Sequence, residues 1–427
     1  MASIAFNAKG LYNIVEQIAY PRLLGTPGEK HIIAQIKTEF QKRGFEQSEI
    51  LSHQICPTWM ASIFLQTING TLATIIFGIL LTWIFAGPLF LSIWFVILIA
   101  AVVFFVIQKD HMKWTVETVA TENIFVRVRP QLDKLGTILF ASHFDTKSQS
   151  YPTHVETWLY VLGVLLGIPF LLLAFIDLLT VSSYQPENVV IIILSHILGW
   201  PAGVCFFILL FDVVQNKSVG AADNASGIAI VLELARYFKE RSLTNFETIF
   251  VIFSAEEIGA KGASLWEKQY ANESDPENSY ILNFDMIGKP SFQYISPIDS
   301  RKKYTYKKLN SLVSFVARDL HIPTTPILMP FATMTDSYPF IKRGWESVDF
   351  VSQNLAKKAH TTRDTMVNID GQILAQVCEI AHTIVEKIDY DATFLNKVAP
   401  KYNVMPPTPR NKIYESVNIR DIRWRLH

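Results

Sequence analysis

The chain has 427 residues, of which 50% are hydrophobic and only 18% charged, with a mean hydropathy of +0.24. That is too apolar for an ordinary soluble enzyme, yet too rich in charged and turn-forming stretches for a pure membrane bundle. Formal net charge is zero, so no nucleic-acid partner is expected. Cys56, Cys205 and Cys378 lie far apart and show neither disulfide nor zinc-finger spacing. Residues 1–7 lack the charged start and apolar core of a signal peptide, and no internal repeat is visible.

In chain order, Pro21 to Gly28 reads as a loop. It leads into an amphipathic helix with Ile32, Ile33, Ile36 and Phe40 on one face and Gly44 at its end. A strand is expected over 45–55. From Thr71 to Gln108 no charged residue occurs. Ala86, Gly87 and Pro88 divide this run into two segments, each near the roughly 20 residues that cross a bilayer core as a helix. Because the run is apolar on every side, it predicts a transmembrane hairpin and not a buried soluble one. Two antiparallel strands follow, over 123–129 and 137–143, joined by a turn from Pro130 to Gly136. A second apolar block, 158–181 and 189–214 around the polar loop 182–188, predicts two more spans, with Asp177 and Asp212 toward their ends. His196 lies inside one of them, where a histidine is either functional or packed and helix-bonded.

The helix expected from Asn224 to about Arg241 puts Ile228, Val231, Leu232, Leu234, Ala235 and Phe238 on its buried side. Further on, strands are expected over 247–254, 279–287 and 346–351, and helices over 307–320 and 371–388. Strands alternating with helices after an antiparallel start predict an α/β fold, a mixed central sheet with helices on both faces. Two transmembrane helical hairpins, 71–108 and 158–214, interrupt it. The sheet domain is then assembled from 1–70, 109–157 and 215–388, and 389–427 forms a loosely packed tail.

The chemistry-bearing residues fall at strand ends. His143 closes one strand, with Asp145 two residues on, suitably placed to orient the imidazole of a metal ligand. Asp223 opens a helix among small residues; by itself this is the pattern of an N-cap. Glu256 and Glu257 follow the apolar run 249–253. Such a pair repels itself unless cations are near, so one can bind metal while its neighbour acts as general base. Asp285 ends another strand, and His360 sits in a loop with an acidic residue, Asp364, four positions later. Two histidines and three carboxylates form a nitrogen and oxygen set suited to paired divalent cations, most simply Zn²⁺.

In this order, the motifs resemble the co-catalytic di-zinc aminopeptidases, a group that includes bacterial leucyl aminopeptidases and yeast aminopeptidase Y, with glutaminyl cyclases as relatives. The motifs are His143-x-Asp145, Ala222 to Gly227, Glu256-Glu257, Asn283 to Gly288, and His360 with Thr361 and Asp364. The likeness runs from Arg22 and the Gly25-Thr26-Pro27-Gly28 loop to about Ile388, apart from the apolar blocks. The resemblance implies a zinc-exopeptidase-like fold. It assigns one zinc to His143 and Asp285, the other to Glu257 and His360, and makes Asp223 the bridge. Glu256 becomes the general base and Asp145 the residue that steers His143. A hydroxide shared by the metals would then attack a peptide carbonyl, and Glu256 would pass the water proton to the leaving amine. Ligands that must be deprotonated imply activity that falls in acid. Two departures stand out. Thr335 to Phe340 looks like the family's Ser-Asp-His-x-Pro-Phe loop without its histidine, and the connection from His143 to Asp223 is greatly lengthened.

If the strands near 50, 126 and 140 run up, down, up as a meander, both apolar inserts leave from the end that bears His143, and the active site faces the bilayer. Lys109, Lys113, Lys147 and Lys217 flank the spans on that side, whereas the 182–188 loop carries Glu187 and no Lys or Arg. The positive-inside rule therefore predicts a cytoplasmic catalytic domain. The expected partners are a peptide substrate near the membrane surface and the lipid bilayer. Two readings compete with a membrane-bound metallo-aminopeptidase: an aminoacyl cyclase or transamidase on the same scaffold, and a non-catalytic membrane assembly subunit. Transport fits least, since no repeat and one mid-membrane ionisable candidate are present.

Overall fold

The computed structural model describes residues 6–59, 62–85, 117–181, 189–296, 308–328 and 334–390. Its framework is an eight-stranded mixed sheet. The strands are β1 (Leu51–Ile55), β4 (Thr121–Val128), β5 (Gly136–His143), β6 (Phe246–Phe253), β7 (Ser279–Phe284), β8 (Gln293–Ser296), β9 (Pro326–Leu328) and β10 (Glu346–Val351), in the spatial order β1-β4-β6-β5-β7-β10-β8-β9. A separate ribbon pairs β2 (Thr58–Trp59) with β3 (Glu117–Thr118).

The centre of the sheet, β6-β5-β7-β10, is parallel. Every residue of β5, β6 and β7 is buried, which is why these strands read as continuous apolar runs and not as alternating ones. Alternate side chains still part to opposite faces. Ile138 and Phe140 join one core, while Leu139 and Ala141 join the other. The first core is covered by α1 (Ala8–Ile18), α2 (Pro27–Lys42), α6 (Gly227–Glu240), α8 (Lys308–Asp319) and α10 (Gly371–Tyr390). The second, smaller core lies under α7 (Lys261–Tyr270) and α9 (Tyr338–Arg343), with Trp266 and Phe340 against Phe253 and Trp345 against Phe340. Helix α6 is buried on nearly every side, and each large apolar side chain there contributes roughly 1.5–3 kcal/mol relative to exposure.

Three expectations are corrected. The segments 123–129 and 137–143 run antiparallel but are not neighbours: β6 lies between them, antiparallel to β4 and parallel to β5. Up, down, up therefore holds for direction but not for a meander. The expected strand over 45–55 is a 3-10 turn, Gln47–Glu49, followed by the short β1. The helix expected from Asn224 begins regularly only at Gly227, because Asp223 and Asn224 have non-helical backbone angles.

Beside the sheet, α3 (Ser62–Phe85), α4 (Thr153–Val181) and α5 (Val189–Leu209) form an apolar cluster of their own around Leu80, Phe170, Ala202 and Phe206. Helix α3 starts nine residues before Thr71, and α4 begins with a polar turn ahead of Trp158. Among the described residues, two stretches are long and apolar enough to cross a membrane, Thr153–Asp177 and Val189–Leu209, and only 17% and 33% of their most apolar windows is buried. Leu165, Leu172, Phe175, Ile197 and Phe207 face outward. His196 accepts a hydrogen bond from Trp200 Nε1 at 3.2 Å, one turn along α5. The second segment of the first expected hairpin, the 182–188 loop and most of the tail lie outside the described residues.

Candidate metal centre

The C-terminal ends of the parallel strands meet in one crevice, where open α/β sheets place their ligands. His143 is the last residue of β5, Glu256 and Glu257 follow β6, Asp285 follows β7, and His360 lies in the loop after β10. Asp223 reaches the same point from the turn that opens α6. The backbone is strained where it delivers these groups. Ala255 (φ 59°), Met286 (φ 55°) and His360 itself (φ 58°) are all left-handed, a conformation that side chains other than glycine rarely adopt outside functional sites.

His143 Nε2 lies 3.4 Å from Asp223 Oδ1 and 3.5 Å from Asp285 Oδ1. His360 Nε2 lies 3.3 Å from Asp223 Oδ2 and 2.9 Å from Glu257 Oε2. The five candidate ligands thus form two triads, His143–Asp223–Asp285 and Asp223–Glu257–His360, each with its ligand atoms within 4.8 Å of one another. Asp223 belongs to both, one carboxylate oxygen turned to each histidine. Glu256 is adjacent, with Oε2 3.9 Å from His143 Nε2.

The motif around Asp223 is explained by what it touches. Asn224 donates Nδ2–H to the Phe284 carbonyl at 2.8 Å and accepts from Gly227 N–H. Ser226 accepts from Ile287 N–H at 3.0 Å. Gly227 is required by close approach, because a Cβ there would lie 2.3 Å from the Phe284 carbonyl oxygen. These residues fasten the start of α6 to the end of β7, so Asp223 and Asp285 are held side by side.

Asp145 stands against His143 as expected, with its main-chain carbonyl 3.1 Å and its carboxylate Oδ1 3.6 Å from Nδ1, and the carboxylate also accepts the backbone N–H groups of Glu256 and Glu257, both at 3.1 Å. Asp364 does not hold His360. Its two oxygens accept from Ala222 N–H and Asp223 N–H, so Asp223 does not cap the helix but is itself held by an acceptor. His360 Nδ1 instead faces Thr153 Oγ1 at 2.8 Å.

Further residues complete the site. Arg22, fully buried, donates to the carbonyls of Phe144, Ile18, Tyr20, Val219 and Gly220, tying together the chain on both sides of the crevice. Lys147 places its ammonium 3.3 Å from Glu257 Oε2. Asp336 is fully buried, and neither carboxylate oxygen has a hydrogen-bond partner among the described residues. Ser337, where the resembled loop carries histidine, donates to Asp349 at 2.8 Å. Only the quoted Arg22 and Thr335–Phe340 motifs pointed this way; Lys147 gives no spacing signal.

Such a set is electrostatically incomplete as protein alone. Burial and the neighbouring carboxylates push Asp336 and Asp285 above their ordinary range against the pull of His143. Burial would lower His360, but Glu257 and Asp223 hold it up at about 9. His143 Nε2, buried, has no hydrogen-bond partner among the described residues. Hard carboxylates and imidazoles converging on two points, with an orphaned ring nitrogen, fit divalent cations.

Comparisons agree with the fold. The chain resembles an aminopeptidase from Aneurinibacillus sp. strain AM-1 with a TM-score of 0.52 at 14% identity, over 89% of this chain and 93% of that one. It resembles an Acidobacteriales glutaminyl cyclase equally, TM-score 0.52 at 15% identity, over 91% and 97%. The architecture is therefore the zinc-exopeptidase-like α/β fold. Residues 178–385 match the family model described as Peptidase family M28. In sequence it is 25% identical to aminopeptidase YwaD of Bacillus subtilis over 172 residues, 38% of this chain and 36% of the relative's length.

Proposed function

We propose that this chain is a membrane-integrated metallo-aminopeptidase that removes N-terminal residues from peptides at a pair of zinc ions. The observation that carries the reading is the sharing of Asp223 between two triads, with Glu256 beside them. His143 and Asp285 would hold one ion, Glu257 and His360 the other, and Asp223 both. Bound there, the ions would supply Lewis acidity and a water acidic enough to act as nucleophile near neutral pH.

Glu256 is suited to take the proton of that water and return it to the leaving amine. Burial raises it well above the ordinary carboxylate range; His143 opposes this, and Asp285, Asp336 and Glu257 add to it. Asp145 orients Glu256 and Glu257 through their backbone N–H groups and His143 through its carbonyl.

The test is a panel of aminoacyl anilides and short peptides offered to the purified protein in detergent. Glu256→Gln should lower kcat by about 10²–10⁴-fold while leaving the bound zinc unchanged. Full activity in that variant, or a wild-type protein that stays fully active when stripped of metal, sinks the proposal. The equal likeness to a glutaminyl cyclase supports a second reading, in which an N-terminal glutaminyl peptide is cyclised. Release of ammonia instead of free amino acid from such a peptide would decide for it.

The membrane part of the proposal rests on the outward-facing Leu, Ile and Phe side chains of α4 and α5. A soluble core helix of this apolarity would bury them. The catalytic crevice would lie on the cytoplasmic side, close to the lipid surface.

A further inference from the structure

The connection from His143 to helix α4 does not simply lead away from the site. Lys147 donates its backbone N–H to Glu257 and sets its ammonium beside the same carboxylate. Ser148 and Gln215 exchange backbone hydrogen bonds at 2.8 and 2.6 Å, closing the hairpin at its foot. Gln149 N–H donates to the carbonyl of His360 at 3.0 Å. Asp212, just past α5, accepts from Ser150 N–H and Tyr151 N–H. Thr153, the first residue of α4, then places Oγ1 2.8 Å from His360 Nδ1. Among the described residues, every hydrogen bond and ion pair of this foot with a candidate ligand falls on Glu257 or His360. Among the described residues, no hydrogen bond joins it to the side chains of His143 or Asp285.

We infer that Thr153 is the positioning residue of His360, and that the α4–α5 hairpin is thereby a structural part of one half of the metal centre and not of the other. His360 Nε2 faces Asp223 and Glu257, so a cation there needs the lone pair at Nε2 and the proton at Nδ1. Nδ1–H then donates to the Thr153 hydroxyl oxygen, which selects that tautomer and fixes the ring plane. The other half-site has a different device, the main-chain carbonyl of Asp145 on His143 Nδ1. A side chain at the start of an apolar helix therefore positions the ligand of one ion, and main chain at a strand end positions the ligand of the other.

The inference rests on His360 being a ligand, and the experiment separates the two. Full-length protein in detergent is stripped with chelator and titrated with Zn²⁺ against a chromophoric competitor. Wild type should take up two equivalents. In Thr153→Val, which keeps the side-chain shape, one equivalent should bind as before and the other about 10–100-fold more weakly. Thr153→Ser, which keeps the acceptor, should restore it even if the valine variant proves poorly folded. His360→Ala should weaken the same equivalent, with no further loss in the Thr153→Val/His360→Ala double variant. Two unperturbed equivalents in a folded Thr153→Val, or a serine variant as weak as valine, would overturn the positioning role. Two equivalents left intact by His360→Ala would overturn the ligand assignment itself.

Discussion

Arg22 shows how much of this site is held by a residue that touches no reacting atom. Its guanidinium donates to five carbonyls contributed by the end of α1, the exit from β5 and the turn before Asp223. Burial lowers it, but at about 10 it remains charged at neutral pH. Arg22→Met would leave those carbonyls buried and unpaired. It should destabilise the fold by about 3–5 kcal/mol, read as a lower midpoint in thermal or denaturant unfolding. Arg22→Lys should recover only part of this, since an ammonium has three donors and no fork.

The titrating residues allow a prediction with a definite sign. In the cation-free protein His360 is raised to about 9 and Asp364 to about 6. A folded-state pKa above the unfolded one means that the folded state binds the proton more tightly. For His360 the resulting stability is present below about 6.5 and is lost as pH rises through about 9. For Asp364 the loss falls between about 4 and 6. Both slopes have the same direction, so the chelated protein should melt at progressively lower temperature from pH 6 to pH 9.5. Zinc should reverse the trend, because its ligation displaces the proton from His360 and so tightens as pH rises. A melting temperature of the chelated protein that climbs over this range would contradict the assignment.

At the scale of elements, the parallel strands and α6 set where the ligands can be, and the apolar helices set what surrounds them. Helices α3 and α5 approach closely because Gly203 presents no side chain; a Cβ there would meet the Phe77 ring at 2.5 Å. Close approach through small residues is the usual packing device where lipid replaces water. Gly203→Leu should force these helices apart at a cost of roughly 1–3 kcal/mol. The expected measurement is faster proteolysis or earlier detergent-induced unfolding of the apolar cluster, with the zinc stoichiometry unchanged. A cost confined to this cluster follows from its separate core around Leu80 and Phe170.

For the whole molecule, the directions of β1 and β5 send α3 and α4 away from the same end of the sheet, the end that carries His143. If that end faces lipid on the cytoplasmic side, a cysteine placed beside Glu187 should react with an impermeant thiol reagent from outside intact cells, and one placed on exposed Val367 should not. The reverse pattern would turn the molecule over without altering its chemistry. Trimming both apolar inserts should yield a sheet domain that no longer needs detergent. Extending the second cut back through Thr153 should also weaken binding of the Glu257–His360 ion, as the positioning role of Thr153 predicts.

The sequence by itself determined the elements that rest on local pattern. The strand over 346–351 and the closing helix from Gly371 follow from apolar period, and the apolar helices follow from the absence of charge. It also marked His143, Asp223, Glu256, Glu257, Asp285 and His360, because strand-end carboxylates and imidazoles among apolar runs are costly unless they act. What the tertiary structure decided were relations between distant segments: β6 between β4 and β5, Asp364 on the backbone of Asp223, Arg22 on the carbonyls of Phe144, Val219 and Gly220, and Thr153 behind His360. Hydrogen bonds across a hundred residues or more depend on where the folded chain brings two groups. No periodicity records that, whereas burial of one face is written into every turn of a helix and every pair of residues in a strand.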